Sequence, residues 1–265
     1  MSIQINNPKS EIRHVAERRA RFGNPKSARG FSLTEVLLAI GMLAVGMLFI
    51  AGVFPVSIHF TTVATERTIA ATVADEAFAK IKLYGIPAGL SDINQALFAP
   101  AAVPFGEYAY PSTADPNSKR YWWSAICRRV DINDVQVTVF VSRKVGTNTT
   151  YYTRNPLPPE NLVPINRPVP VFVSVTLGSM ADEIVTSDPL GLSNFINDGY
   201  TIVDDKTGDI YRILDRTGNV VRLDKNWAGS ISQWVWTIPA PVSVPPSGTS
   251  GRYPCIGVYQ KIMRF

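Results

Sequence analysis

Two groups in one short stretch carry most of the chemistry this chain can do. In Gly30-Phe31-Ser32-Leu33-Thr34-Glu35, a small residue stands at a cleavage position and a carboxylate follows five positions later. Behind Glu35 come 25 residues, Val36 to Phe60, without Lys, Arg, Asp or Glu. A carboxylate at the head of such a segment costs about 2.5 kcal/mol or more in lipid unless it is paired. Glu35 therefore needs a partner, and the chemistry expected of it is charge pairing.

The element that must position these groups is an apolar helix. Val36 to Phe54, ahead of Pro55, is 19 residues; at about 1.5 Å rise per residue it spans roughly the 30 Å hydrocarbon core of a bilayer. Residues 1–30 hold seven basic side chains against two acidic ones. A basic flank stays cytoplasmic, which predicts the N-terminus inside and residues 61–265 outside. A common secretory signal has an apolar core of about 7 to 15 residues and is cut after it; here Gly30 comes before the core.

Gly30 followed by Phe31-Ser32-Leu33-Thr34-Glu35-Val36-Leu37-Leu38 resembles the processing motif of type IV prepilins and type II secretion pseudopilins. In that family a membrane aspartyl peptidase cuts after the glycine and methylates the new terminal phenylalanine. The glutamate neutralises the amino terminus of a neighbouring subunit as helices stack into a filament. The resemblance implies cleavage after Gly30, methylation of Phe31 and an assembly role for Glu35. Ser32 replaces the usual Thr, Thr34 stands where an apolar residue is usual, and the 30-residue leader is longer than most. An uncleaved signal anchor shares the basic flank and the helix, but has no reason to place Glu35 after Gly30-Phe31.

Charge follows the same division. The whole chain is +5, the leader alone is +5, and the remainder balances 19 basic with 19 acidic residues. Basicity belongs to the leader, so no strong nucleic-acid signal is left, because such binding relies on phosphate neutralisation. Arg128-Arg129 and Arg143-Lys144 read as solvated strand ends.

Past the membrane run, Ile69, Val73, Ala77, Ile81 and Tyr84 recur at helical spacing, and Gly85 with Pro87 is a stop signal. The spacing predicts a helix over 31–84, with a transmembrane half at about 36–54, an amphipathic half at about 56–84 and a kink near Pro55. Its apolar stripe needs a cover. Val135, Val137, Val139 and Val141 alternate with Gln136, Thr138, Phe140 and Ser142, and Val171 to Leu177 alternates likewise, which predicts strands. Arg120 to Val130 forms a hairpin with the first of these. Tyr200 to Val203, Ile210 to Leu214 and Val220 to Leu223, separated by two Asp-x-Thr-Gly units, predict a three-stranded meander. Gln233 to Ile238 and Ile256 to Ile262 read as two last strands, and 155–170 and 239–254 as proline-rich loops.

The expected fold class is α+β: a long N-terminal transmembrane helix packed on an antiparallel β-sheet domain. The resemblance independently implies the pilin fold. The expected divisions are a removed leader over 1–30, the helix over 31–84 and an extracytoplasmic β-rich head over 85–265. The head reads as one domain with insertions, with two small β lobes as the alternative.

Cys127 and Cys255 fall in strands on the side where disulfides persist, and read either as a bridge or as two small buried residues. The histidines are His14, in the leader, and His59, at the membrane edge. No His-based triad or metal cluster can therefore be built in the head, no phosphate-binding glycine loop occurs, and neither enzyme activity nor a cofactor is expected. Asp131, Asn133 and Asp134, and Asp204, Asp205 and Asp209, are weak calcium candidates whose residue types serve turns far more often. Trp122, Trp123, Trp227, Trp234 and Trp236 offer an adhesive aromatic face or, more commonly, sheet packing.

The reading is a minor structural subunit of a type IV pilus, secretion pseudopilus or DNA-uptake filament. Its implied partners are the inner membrane, prepilin peptidase, an inner-membrane assembly platform and other pilin or pseudopilin subunits. The alternative is an uncleaved single-pass binding module with an extracytoplasmic β head.

Overall fold

Helix α1 (Leu33–Tyr84) begins where the Ser32 carbonyl accepts the N–H groups of Glu35 and Val36, at 2.9 and 3.1 Å. Glu35 in its first turn faces the positive end of the helix dipole. It runs unbroken through Pro55 and stops at Gly85, whose φ of 77° and N–H bond to the Ile81 carbonyl form a left-handed cap. The computed structural model describes residues 30–86, 89–91, 94–98, 103–112, 119–146, 149–154, 162–188, 190–230, 232–241 and 252–265. The leader through Arg29, including His14, lies outside the described residues, as do parts of both proline-rich segments.

The chain divides after Phe60 into two units. In the first, every described residue from Gly30 to Phe60 is exposed. Among the described residues α1 is the one helix long and apolar enough to cross a membrane.

In the second unit, the Thr61 to Tyr84 part of α1 turns Ala70, Val73, Ala74, Ala77, Phe78 and Ile81 inward. Val73, Ala77 and Ile81 are the centre of the stripe read from the sequence, and Ile69 and Tyr84 pack at its edges. The alanines let the helix approach closely, while Val73, Phe78 and Ile81 each contribute about 1.5 to 3 kcal/mol by burial.

The cover is an antiparallel sheet of β1 (Ala96–Leu97), β2 (Ala109–Tyr110), β3 (Tyr121–Arg129), β4 (Asp134–Arg143) and a late strand, β13 (Cys255–Arg264). The β3–β4 hairpin pairs Tyr121 with Arg143 through Arg129 with Val135. β13 lies on the other side of β4, and β1 and β2 share the outer edge of β3. Val135, Val137, Val139 and Val141 face α1 together with Trp123, Ala125, Cys127 and Met263.

Between β4 and β13 the chain inserts a second body. β5 (Tyr151–Arg154) and β6 (Leu162–Ile165) form a hairpin, so part of the stretch expected as a proline-rich loop is strand, with Pro164 opposite Tyr152. Then β7 (Val171–Leu177), β8 (Glu183–Thr186), β9 (Thr201–Asp204), β10 (Ile210–Thr217), β11 (Val220–Leu223) and β12 (Ser232–Thr237) close into a six-stranded barrel in the order β10-β11-β8-β7-β12-β9. The meander is present as β9–β11, and Gly208 and Gly218 take positive φ of 77° and 64° in the two Asp-x-Thr-Gly turns.

The barrel core holds Val173, Ile184, Ile202, Tyr211, Ile213 and Val235. A third cluster, including Ile126, Phe140, Val203, Trp236 and Cys255, joins the far face of the sheet to the outside of the barrel. The head is therefore layered as helix, sheet and barrel, the α+β arrangement expected.

Candidate functional site

At the start of the stem, Gly30, Phe31 and Glu35 are all exposed, with nothing within 4 Å of a Cβ placed on Gly30. Phe31 is 80% exposed. Glu35 projects from the first turn of α1, and no described cation pairs with it. Ala39, Gly41, Ala44, Gly46, Ala51 and Gly52 are exposed along the same stem, and a Cβ at any of its three glycines would meet nothing. The stem therefore presents a carboxylate that pairs with no cation among the described residues and a bare apolar surface, which can be covered by lipid or by other helices.

Several charged residues of the head are engaged. Arg143 is not a solvated strand end: its Nη1 donates to Glu66 of α1 at 2.8 Å and its Nη2 to the Tyr253 carbonyl at 3.3 Å. Lys80 sits 2.7 Å from Glu76 and 2.9 Å from Glu107. Arg128 donates to Gln136 Oε1 at 2.9 Å. Arg167, buried with its guanidinium 3.8 Å from the Tyr108 ring, is lowered to about 10 by burial.

The most enclosed ion pair joins Arg154 of β5 to Asp188, with both side chains fully inaccessible and 2.5 Å between Nη1 and Oδ2. Nη1 also donates to the Phe172 carbonyl, and Asp188 accepts the N–H groups of Ser174 and Leu190. Sequence reading missed this pair because Arg154 borders the segment read as loop. The Tyr151-Tyr152-Thr153 run of strand formers is the signal that could have found it.

The weak calcium candidates are used as turn and packing groups. Asp204 accepts from Lys206 N at 2.8 Å, and the Thr207 hydroxyl lies 3.0 Å from both Asp204 and Asp209. Asp205 Oδ1 instead accepts from Trp236 Nε1 at 2.6 Å and Gln95 N at 3.1 Å. Burial raises the pKa of both Asp204 and Asp205, and these hydrogen bonds oppose the rise. Asp131, Asn133 and Asp134 lie in the β3–β4 turn, where the Asp134 carbonyl accepts from Val130 and Asp131 and the Asn133 carbonyl from Phe265. Among the described residues no three His, Cys, Asp or Glu side chains converge on a metal position.

The tryptophans do not form one face. Trp123 packs against α1, Trp227 in the barrel core and Trp236 between sheet and barrel, while Trp122 and Trp234 are half-buried.

Of the two readings of Cys127 and Cys255, strand register favours two separate buried thiols. Cys127 stands opposite Val137 of β4 and Cys255 opposite Ser142. Five residues of strand are about 17 Å, and a disulfide needs Cα atoms within about 7 Å. The two thiols also lie on opposite faces of the sheet, one against α1 and one toward the barrel, and both are free. Burial pushes Cys127 up to about 12 and Cys255 to about 11. Native protein at about pH 8 should therefore take up no iodoacetamide. After unfolding without reductant, both cysteines should alkylate, and an intact mass showing no alkylation at that point would mean they are bridged.

Compared with known proteins, the chain matches no family model, no curated protein and no solved structure.

Proposed function

We propose that this chain is a structural subunit of a type IV pilus or a related secretion or uptake pseudopilus. It is inserted with its N-terminus inside, cleaved after Gly30 by a prepilin peptidase, methylated on Phe31, and passed through an inner-membrane platform into a filament. Its role is mechanical: stems bundle, and Glu35 pairs with the amino terminus of a neighbouring subunit. The observation that carries the reading is the order Gly30, Phe31, Glu35 at the head of an exposed apolar helix that leads into a β head. A lone membrane anchor gains nothing from an unpaired carboxylate in that position.

The test is intact mass with N-terminal sequencing of protein recovered from native membranes. A chain that begins at Phe31 with one added methyl is expected. A chain that keeps residues 1–30 would overturn the filament reading in favour of an anchored binding module.

A further inference from the structure

Between the outer end of the β3–β4 pair and the β5–β6 hairpin, the head holds a cleft of about 410 Å³ whose walls include Phe105, Lys119, Trp122, Lys144 and Asn166. Its size lies toward the lower end of small-ligand sites, about 300 to 1,000 Å³. Three features of the walls define what fits.

The first is positive charge without a counter-ion. The Lys144 N–H donates to the Arg120 carbonyl at 2.7 Å, so strand register brings Lys119 and Lys144 to the same end of the hairpin. The Lys119 ammonium donates to the Gly106 carbonyl at 3.2 Å, and the exposed Lys144 ammonium bonds no described residue. None of the described residues lining the cleft is acidic. Glu107, next to Gly106 on the wall, has its carboxylate 2.9 Å from Lys80. Both lysines keep N–H donors free, and a concave wall of one sign concentrates an anion.

The second is an open aromatic surface. Phe105 is 46% exposed and Trp122 half-buried, with ring centroids 5.4 Å apart. Among the described residues no cation lies over either ring. Their outer surface suits the polarised C–H bonds of a ring. The third is Asn166, exposed on the opposite wall, whose amide bonds no described residue. It offers an acceptor and donors together, which a hydroxyl matches. Two cations are too few for a nucleic acid, and the chain beyond the leader balances 19 basic with 19 acidic residues.

We propose that this cleft binds a sugar bearing a carboxylate or phosphate, with the anion on Lys119 and Lys144, the C–H face on Phe105 and Trp122, and a hydroxyl on Asn166. The inference concerns the head alone and holds whether or not the stem enters a filament.

The test uses the full chain in nanodiscs of zwitterionic lipid. Digalacturonate, sialyllactose and glucose 6-phosphate are titrated by saturation-transfer NMR and tryptophan fluorescence, beside their neutral counterparts galactobiose, lactose and glucose, and beside an acidic tetrapeptide. At least one anionic sugar should bind saturably with Kd on the order of 1 mM or tighter, and its neutral counterpart about tenfold more weakly. Binding by the first two alone assigns a carboxylate, and by the third alone a phosphate. Affinity should fall as salt rises from about 0.02 M to about 0.5 M. Lys144→Gln should weaken binding about tenfold, and Lys144→Arg, which keeps the charge, should retain most of it. Phe105→Ala, at a residue already half exposed, should weaken it as well. Absence of saturable binding by every anionic sugar would overturn the proposal. So would equal affinity for a neutral counterpart, unchanged affinity in Lys144→Gln, or tighter binding of the acidic peptide than of any sugar.

Discussion

Glu35→Ala should remove the protein from sheared filaments while leaving its amount in the membrane unchanged. The substitution makes the start of α1 more apolar, so insertion loses nothing. On the proposed filament reading, it leaves a neighbour's terminal ammonium in lipid without its counter-charge. A lone charge there costs about 2.5 to 3.5 kcal/mol, roughly a hundredfold in equilibrium constant for each contact. If the proposed filament contact is what holds the subunit in place, the variant should be undetectable in the sheared fraction. Immunoblots of membrane and sheared-surface fractions read both quantities. Glu35→Asp, which retains the charge on a shorter arm, should assemble in part. Filament levels of Glu35→Ala equal to those of the parent would remove the assembly role from this carboxylate.

The second large effect lies in the head. Asp188→Ala leaves the Arg154 guanidinium enclosed without its counter-ion, and also takes an acceptor from the N–H groups of Ser174 and Leu190. Removing one partner of a buried pair costs about 3 to 5 kcal/mol, because the remaining charge cannot be hydrated. For a head of this size the melting midpoint should fall by roughly 10 °C. Replacing both partners with apolar residues, Arg154→Met with Asp188→Leu, should recover much of the loss, since the large term is the stranded charge rather than the pair's net attraction. Thermal unfolding followed by near-ultraviolet circular dichroism reads each variant. A single variant within about 1 °C of the parent would mean that water reaches Arg154 after all.

The helix and the main strands were legible because each announces itself locally. Val73, Ala77 and Ile81 repeat at helical spacing, β4 and β7 alternate at period two, and each Asp-x-Thr-Gly turn places a glycine where φ is positive. What stayed hidden depends on partners distant in sequence. Thr138 and Ser142 alternate with the valines of β4, yet both are buried because the barrel covers that side. Alternation reveals that a strand has two faces; it does not say that something lies on each. β8 has four residues, too few to show a period, so the closure of the meander into a barrel could not be foreseen. Arg143 looked like a charged strand end because Glu66, its partner, is on the helix. A cleft of about 590 Å³ in the head was invisible for the same reason: Gln95, Thr153, Phe172 and Trp234, which line it, come from four separate stretches of the chain.

The insertion of the barrel between β4 and β13 also sets a timetable for the chain as it is made. Every strand of the barrel is contiguous from β7 to β12, so that body can complete itself while β13 is still unmade. β4 cannot. Its second edge waits until all of the inserted strands have been synthesised, and through that interval it offers unpaired backbone groups to any neighbouring chain. The stem is made before any of this, ahead of every strand of the head. The segment that ends the exposure of β4 is the run from Cys255 to Arg264, and Gln260, which donates to the Gly208 carbonyl at 2.9 Å, helps register that late strand against a barrel already formed.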